Sequence, residues 1–197
     1  METSRLETFS DGVFAIAATL LILDIRLPEG HGSVAHQLVH LWPSYAGYAV
    51  SFLTIGIMWI NHAAVFRQIG RVDRTFLTIN VVFLLFIAFV PFPTAVLARH
   101  LHHDAKAAAF FYGLTLTCTA VMYQVLWFYA SLGRRLLVED ADPRVVSGIT
   151  RAFLPGVPFY ASAMVSALVS SWLSVALYAG ISVFYVVESS IFGRDAA

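Results

Sequence analysis

Residues Arg5–Ile25 read RLETFSDGVFAIAATLLILDI. From about Phe9 to Ile25 the stretch is apolar over nearly the roughly 20 residues that a helix needs to cross a hydrocarbon core of about 30 Å. Arg5, Ser10 and Asp11 stand at its entry and Asp24 near its exit. Ionisable groups at the rim of a spanning helix need water or an internal partner. Arg5 and Asp11 lie about 120° apart around the axis, so they cannot pair along their own helix. Each needs solvent or a second helix.

The rest of the chain repeats the pattern. Apolar runs follow from about Trp42 to His62, Phe76 to Leu97, Ala107 to Leu132, Ala152 to Val169 and Trp172 to Ile191. Only Ser170 and Ser171 separate the last two runs, which together are too long for one crossing and read as a hairpin. Pro28 with Gly30 ends the first run, Gly133 closes the fourth, and Pro143, Pro155 and Pro158 surround the entry to the fifth, predicting a kink there. Trp42, Tyr45, Trp59, Trp127 and Trp172 fall near predicted ends, where amphipathic rings favour the headgroup region. The expected fold is all-α: residues 1–197 as a single domain of six transmembrane helices.

Composition excludes the alternatives. Of 197 residues, 59% are hydrophobic and 12% charged, and the mean hydropathy is +0.76. A soluble domain carries about twice that charged fraction. Zero formal net charge argues against a nucleic-acid partner, and the single Cys118 cannot form an intrachain bridge. With the N terminus placed in the cytoplasm, nine basic residues (Arg5, Arg67, Arg71, Arg74, Arg134, Arg135, Arg144, Arg151, Arg194) lie inside and three (Arg26, Arg99, Lys106) outside. That bias predicts both termini cytoplasmic. Leu-Asp-Ile-Arg-Leu-Pro offers no small-x-small cleavage site, so the first run reads as a retained helix rather than a signal peptide.

On a helical wheel with Ile16 at zero, Leu20 falls at about +40°, Leu23 at about −20°, Thr19 at about −60° and Gly12 at about −40°. Ile16, Leu20 and Leu23 therefore form one narrow ridge with Thr19 on its flank, and Asp11 points away from it. Taken alone, such a ridge reads as lipid-facing or core.

Arg5-x-x-x-Phe9-Ser10-Asp11 resembles the signature of the lysosomal and bacterial potassium channels of the transmembrane-protein-175 type. Trp59-x-x-His62 ending the second run, and Asn80 followed by Pro91-Phe92-Pro93-Thr94 in the third, are similar to that family's patterns. A single Phe-Ser-Asp signature matches its single-repeat prokaryotic members. The likeness is close over the first three runs and holds in outline over the last three.

The resemblance implies a homotetrameric, weakly selective potassium channel in the bacterial cell membrane, with K+ as permeant ion and no cofactor. Its pore would be lined by the first helix of each subunit. Ile16 would form the narrowest ring, Leu20 and Leu23 the next, and Thr19 the hydroxyl position that bears on selectivity. Arg5, Phe9, Ser10, Asp11, Trp59, His62 and Asn80 would tie the cytoplasmic helix ends together. No Thr-Val-Gly-Tyr-Gly carbonyl filter is present.

Other candidates have plainer readings. Asp24, about 80° from the ridge, could reach an outer mouth and attract cations. His100, His102 and His103 have a metal-compatible spacing, although a solvated loop is the commoner meaning. His31, His36 and His40 lie in the outer linker of the first hairpin; His36 and His40 share a face if helix starts early. No hydrolase, zinc-protease or phosphate-loop motif occurs, so an enzyme is not expected. Two rivals to a potassium channel are a proton-conducting or proton-coupled transporter using Asp11 and His62, and a non-conducting adaptor packed through Ala15 and Ala18.

Overall fold

The structure is a computed structural model that describes residues 3–27, 33–101 and 104–192. Pro28, Glu29, Gly30, His31, His102, His103 and Arg194 lie outside the described residues. Among the described residues the elements are helices: α1 (Thr3–Leu20), a 3-10 turn (Leu21–Asp24), α2 (Val34–His40), α3 (Trp42–Phe66), α4 (Arg74–Phe89), α5 (Pro91–His100), α6 (Ala105–Ser131), a second 3-10 turn (Leu132–Arg134), α7 (Pro143–Phe153), α8 (Gly156–Ser166) and α9 (Ser171–Phe192), with a single antiparallel bridge between Ile69 and Leu137.

Four segments are long and apolar enough to cross a membrane: Thr3–Asp24, Trp42–Phe66, Arg74–His100 and Ala105–Arg134. They correspond to the first four expected runs. The third is two helices, not one. Pro91 has no N–H to continue the ladder, and the Val90 N–H bonds back to Ile87 O at 3.2 Å, the three-residue spacing of a tightened turn. The fifth run departs further from expectation. Its beginning belongs to α7, the chain turns at Leu154 and Pro155, and α8 has only 11 residues. A helix of that length rises about 17 Å, roughly half a hydrocarbon core. The sixth run is α9, whose Ser171–Val187 part is a shorter apolar segment.

α6 holds the centre, packed against α4 and α5 on one side and α8 and α9 on the other. Gly113 sets its closest approach. A Cβ there would overlap the Tyr178 hydroxyl and stand 2.9 Å from the Met164 Cα. Tyr178 meanwhile donates to Ala109 O at 3.1 Å. Gly113→Val is therefore expected to destabilise the fold by about 1–3 kcal/mol or more, read as a lower melting temperature in detergent. Trp127 is also part of this core. It is fully buried and donates to Thr150 Oγ1 at 2.9 Å, so it is not an interfacial ring.

Helix–helix contacts in the apolar interior carry polar rungs. Ser51 Oγ lies 2.8 Å from Thr94 Oγ1 and 2.9 Å from the Tyr112 hydroxyl, joining α3, α5 and α6. Thr54 Oγ1 lies 2.8 Å from Ser182 Oγ, joining α3 to α9. Where lipid offers no hydrogen bonds, such pairs satisfy polar side chains and fix helix register. α1 packs against α3 and α4, at the edge of this bundle.

Candidate functional site

α1 has two faces with opposite fates. Leu6, Ser10, Phe14, Ala17 and Leu21 recur at helical spacing and are buried against the bundle. The other face is open along its length: Gly12, Ala15, Ile16, Thr19, Leu20 and Leu23 are all exposed. Ile16 is 61% and Leu23 59% exposed. Thr19 Oγ1 donates to Ile16 O at 2.9 Å, which occupies its hydrogen and leaves its oxygen lone pairs on the open face. No titratable side chain occurs from Gly12 to Leu23.

The buried face is held by a chain of hydrogen bonds at the N-terminal end of α1. Ser10 Oγ donates to Leu6 O at 2.8 Å and accepts from Asn80 Nδ2 at 3.0 Å. Asn80 Oδ1 lies 3.0 Å from His62 Nε2, so His62 is the donor in that pair. Ser10, Asn80 and His62 are each fully buried and come from α1, α4 and α3. Rings wrap the histidine: Phe66 and Phe83 stack on it at centroid distances of 4.2 and 5.9 Å, and Phe14 meets it edge-on at 5.4 Å. His62 Nδ1 has no partner among the described residues.

One residue on, Asp11 leaves the buried row. Its Oδ1 accepts from Trp59 Nε1 at 2.8 Å, a second tie between α1 and α3. Thus Ser10, Asp11, Trp59, His62 and Asn80 come together as two adjacent ties. Arg5 and Phe9 do not join them. They sit on the open side of α1, Phe9 being 57% exposed. At the other end, Asp24 does not stand as a free charge: Arg99 Nη2 of α5 lies 3.2 Å from its Oδ1. His100 binds Val96 O through Nδ1 at 2.9 Å, and no cluster of three metal-ligating side chains exists among the described residues.

Sequence patterning alone passed over Asp73. It caps α4 by accepting from the Phe76 N–H at 2.8 Å, and it accepts from the Tyr129 hydroxyl at 2.7 Å. Arg135 lies over the Tyr129 ring at 4.8 Å, and Arg71 donates twice to the Arg135 carbonyl. The available signal was an Asp just ahead of an apolar run, a plain N-cap. The Phe76 N–H and then the Tyr129 hydroxyl hold the Asp73 carboxyl below its ordinary pKa of 3.8. A carboxyl with a lowered folded pKa stabilises above its unfolded value, and the effect is lost as pH falls through the folded value. The melting-temperature gap between wild type and Asp73→Ala is therefore expected to be widest above about pH 4 and to close on further acidification.

The family model described as "Endosomal/lysosomal potassium channel TMEM175" matches residues 5–91, the part that carries α1 and both ties. A potassium channel of Chamaesiphon minutus is 40% identical over 195 residues, covering 96% of each chain. The chain belongs to the TMEM175 family. A potassium channel of Streptomyces collinus is 43% identical over 192 residues, covering 93% of this chain and 91% of that one. Among solved structures, the crystal structure of a lysosomal potassium-selective channel TMEM175 homolog from Chamaesiphon minutus superposes with a TM-score of 0.87 at 36% identity. That match covers 95% of this chain and 98% of the other, so the TMEM175 likeness extends through α9.

Proposed function

We propose that this chain is a weakly selective, potassium-permeable channel of a bacterial cell membrane, assembled as a homotetramer around α1. The observation that carries the reading is the uncovered apolar ridge of α1, backed by a face fixed to α3 and α4 through buried hydrogen bonds. Four such ridges around an axis place Ile16 in a ring that excludes water when narrow. Leu20 and Leu23 continue the apolar lining, and Thr19 supplies oxygen on its flank. Residues 1–197 act as one unit with six crossings and both termini in the cytoplasm. The fifth crossing uses the end of α7, the Pro155 turn and α8; the sixth uses α9. The two potassium channels at 40% and 43% identity support the permeant ion.

A proton-conducting path through Asp11 and His62 lacks support in the geometry. Asp11 is bonded to Trp59, and His62 is enclosed by three phenylalanines. The test is cation flux from purified protein in liposomes, with K+, then Na+, then a proton gradient alone. Flux of K+ exceeding that of Na+ supports the channel. Proton flux alone identifies the transporter reading, and no flux identifies the adaptor.

A further inference from the structure

α2 lies at the opposite end of α1 from the Ser10–Asn80–His62 chain, between the first crossing and α3. Ser33 caps it by accepting from the His36 N–H at 3.2 Å, which fixes where the helix starts and so the register of its side chains. One turn apart, His36 and His40 present their rings to each other. Their Nε2 atoms are 3.0 Å apart, while the ring centroids are 4.2 Å apart with planes at 52°. The nitrogens are nearer than the ring centres, so the rings converge at their Nε2 corners. Both residues are exposed.

Two imidazole nitrogens bound at about 2.0–2.1 Å to one metal stand about 2.9 Å apart at a right angle and about 3.3 Å apart at a tetrahedral angle. The separation in α2 lies between these values. Histidines at positions i and i+4 of a helix are the spacing by which helical zinc sites chelate. Neutral imidazole favours zinc, nickel and copper over magnesium and calcium, which take oxygen ligands. The competing use of this geometry is a single N–H···N hydrogen bond between two neutral rings, one donating.

We propose that His36 and His40 form a two-histidine chelate for a divalent transition metal such as Zn2+ or Ni2+, with water filling the remaining positions. This site is separate from the open face of α1 and stands whether or not the chain conducts potassium.

The experiment is a calorimetric titration of the purified, detergent-solubilised full chain with ZnCl2, NiCl2 and CaCl2. The expected result is saturable binding of one Zn2+ or Ni2+ per subunit and none of Ca2+. His40→Gln and His36→Asn should each weaken it at least about tenfold, since either turns a chelate into a single imidazole. Both side chains are exposed, so unchanged circular dichroism and gel-filtration profiles are expected alongside. A variant lacking His31, His100, His102 and His103 should bind as wild type does. No saturable binding by the wild type, equal binding by His40→Gln, or loss confined to the variant lacking the other four histidines would each overturn the proposal.

Discussion

Ile16→Asn is expected to raise K+ flux into liposomes at least about tenfold and to reduce the preference for K+ over Na+. Transfer of one isoleucine-sized apolar group out of water is worth about 1.5–3 kcal/mol, and in the proposed tetramer a ring of four copies would multiply the local aversion to water. Asparagine is smaller and would put hydrogen-bonding groups on the proposed axis, so a constriction there would both widen and wet. A barrier lowered by only about 1.4 kcal/mol already gives tenfold. The fold should not suffer, because Ile16 is 61% exposed and its substitution opens no cavity in the subunit. Leu85→Asn is the control: Leu85 is 65% exposed on α4, outside the α1 ridge, and the same substitution there should leave flux unchanged. If Ile16→Asn and wild type conduct alike, Ile16 is not on the path. If Leu85→Asn conducts as strongly as Ile16→Asn, the leak is a general failure of the bundle.

The ridge was readable in the sequence because helical periodicity places Ile16, Leu20 and Leu23 on one line whatever surrounds them. What the period does not say is which of two apolar faces a subunit keeps for itself. α1 is apolar on both, and only the packing of Phe14, Ala17 and Leu21 on α3 and α4 distinguishes them. The first four candidate spans were visible for the same reason, since length and hydropathy are local properties. The break at Pro91 and the short α8 depend instead on how proline-bearing segments settle against α6. Trp127 shows the same limit: an aromatic near a predicted end reads as interfacial, yet here its ring is fully buried and Thr150 of α7 gives its N–H a partner. The rungs through Ser51, Thr54, Thr94 and Ser182 carried no local signal, because an isolated hydroxyl in an apolar helix bonds equally well to its own backbone. The partners of Ser10 and Asp11 are contacts across 70 and 48 residues of chain, set only by the bundle.

Asn80→Ala should give the largest loss of stability among changes to the Ser10–Asn80–His62 hydrogen-bond chain behind α1. Among the described residues, Asn80 links Ser10 to His62, donating to one and accepting from the other. Its removal leaves the His62 Nε2–H without the acceptor it has now, beside an Nδ1 that already has no partner among the described residues. An orphaned buried donor costs about 1–3 kcal/mol. The cavity left by the amide adds to that, giving an expected loss of about 2–4 kcal/mol. Ser10→Ala should cost less: it removes the acceptor of Asn80 Nδ2, but its other bond, to Leu6 O, is internal to α1, Asn80 keeps His62, and only one oxygen is removed from the packed face. In the double variant the two losses should fall short of their sum by at least about 0.5 kcal/mol, since they share one bond. Additive losses would mean that Ser10 and Asn80 act separately, whatever their separation. The coupling matters for conduction because the bond chain ties down the side of α1 that faces the bundle, and a helix rotated about its axis carries its open face with it. Asn80→Ala is accordingly expected to alter K+ flux although Asn80 is fully buried and lies on α4 rather than on the ridge. A variant that melts lower yet conducts as wild type does would show that Asp11 and Trp59 alone suffice to hold the ridge in register.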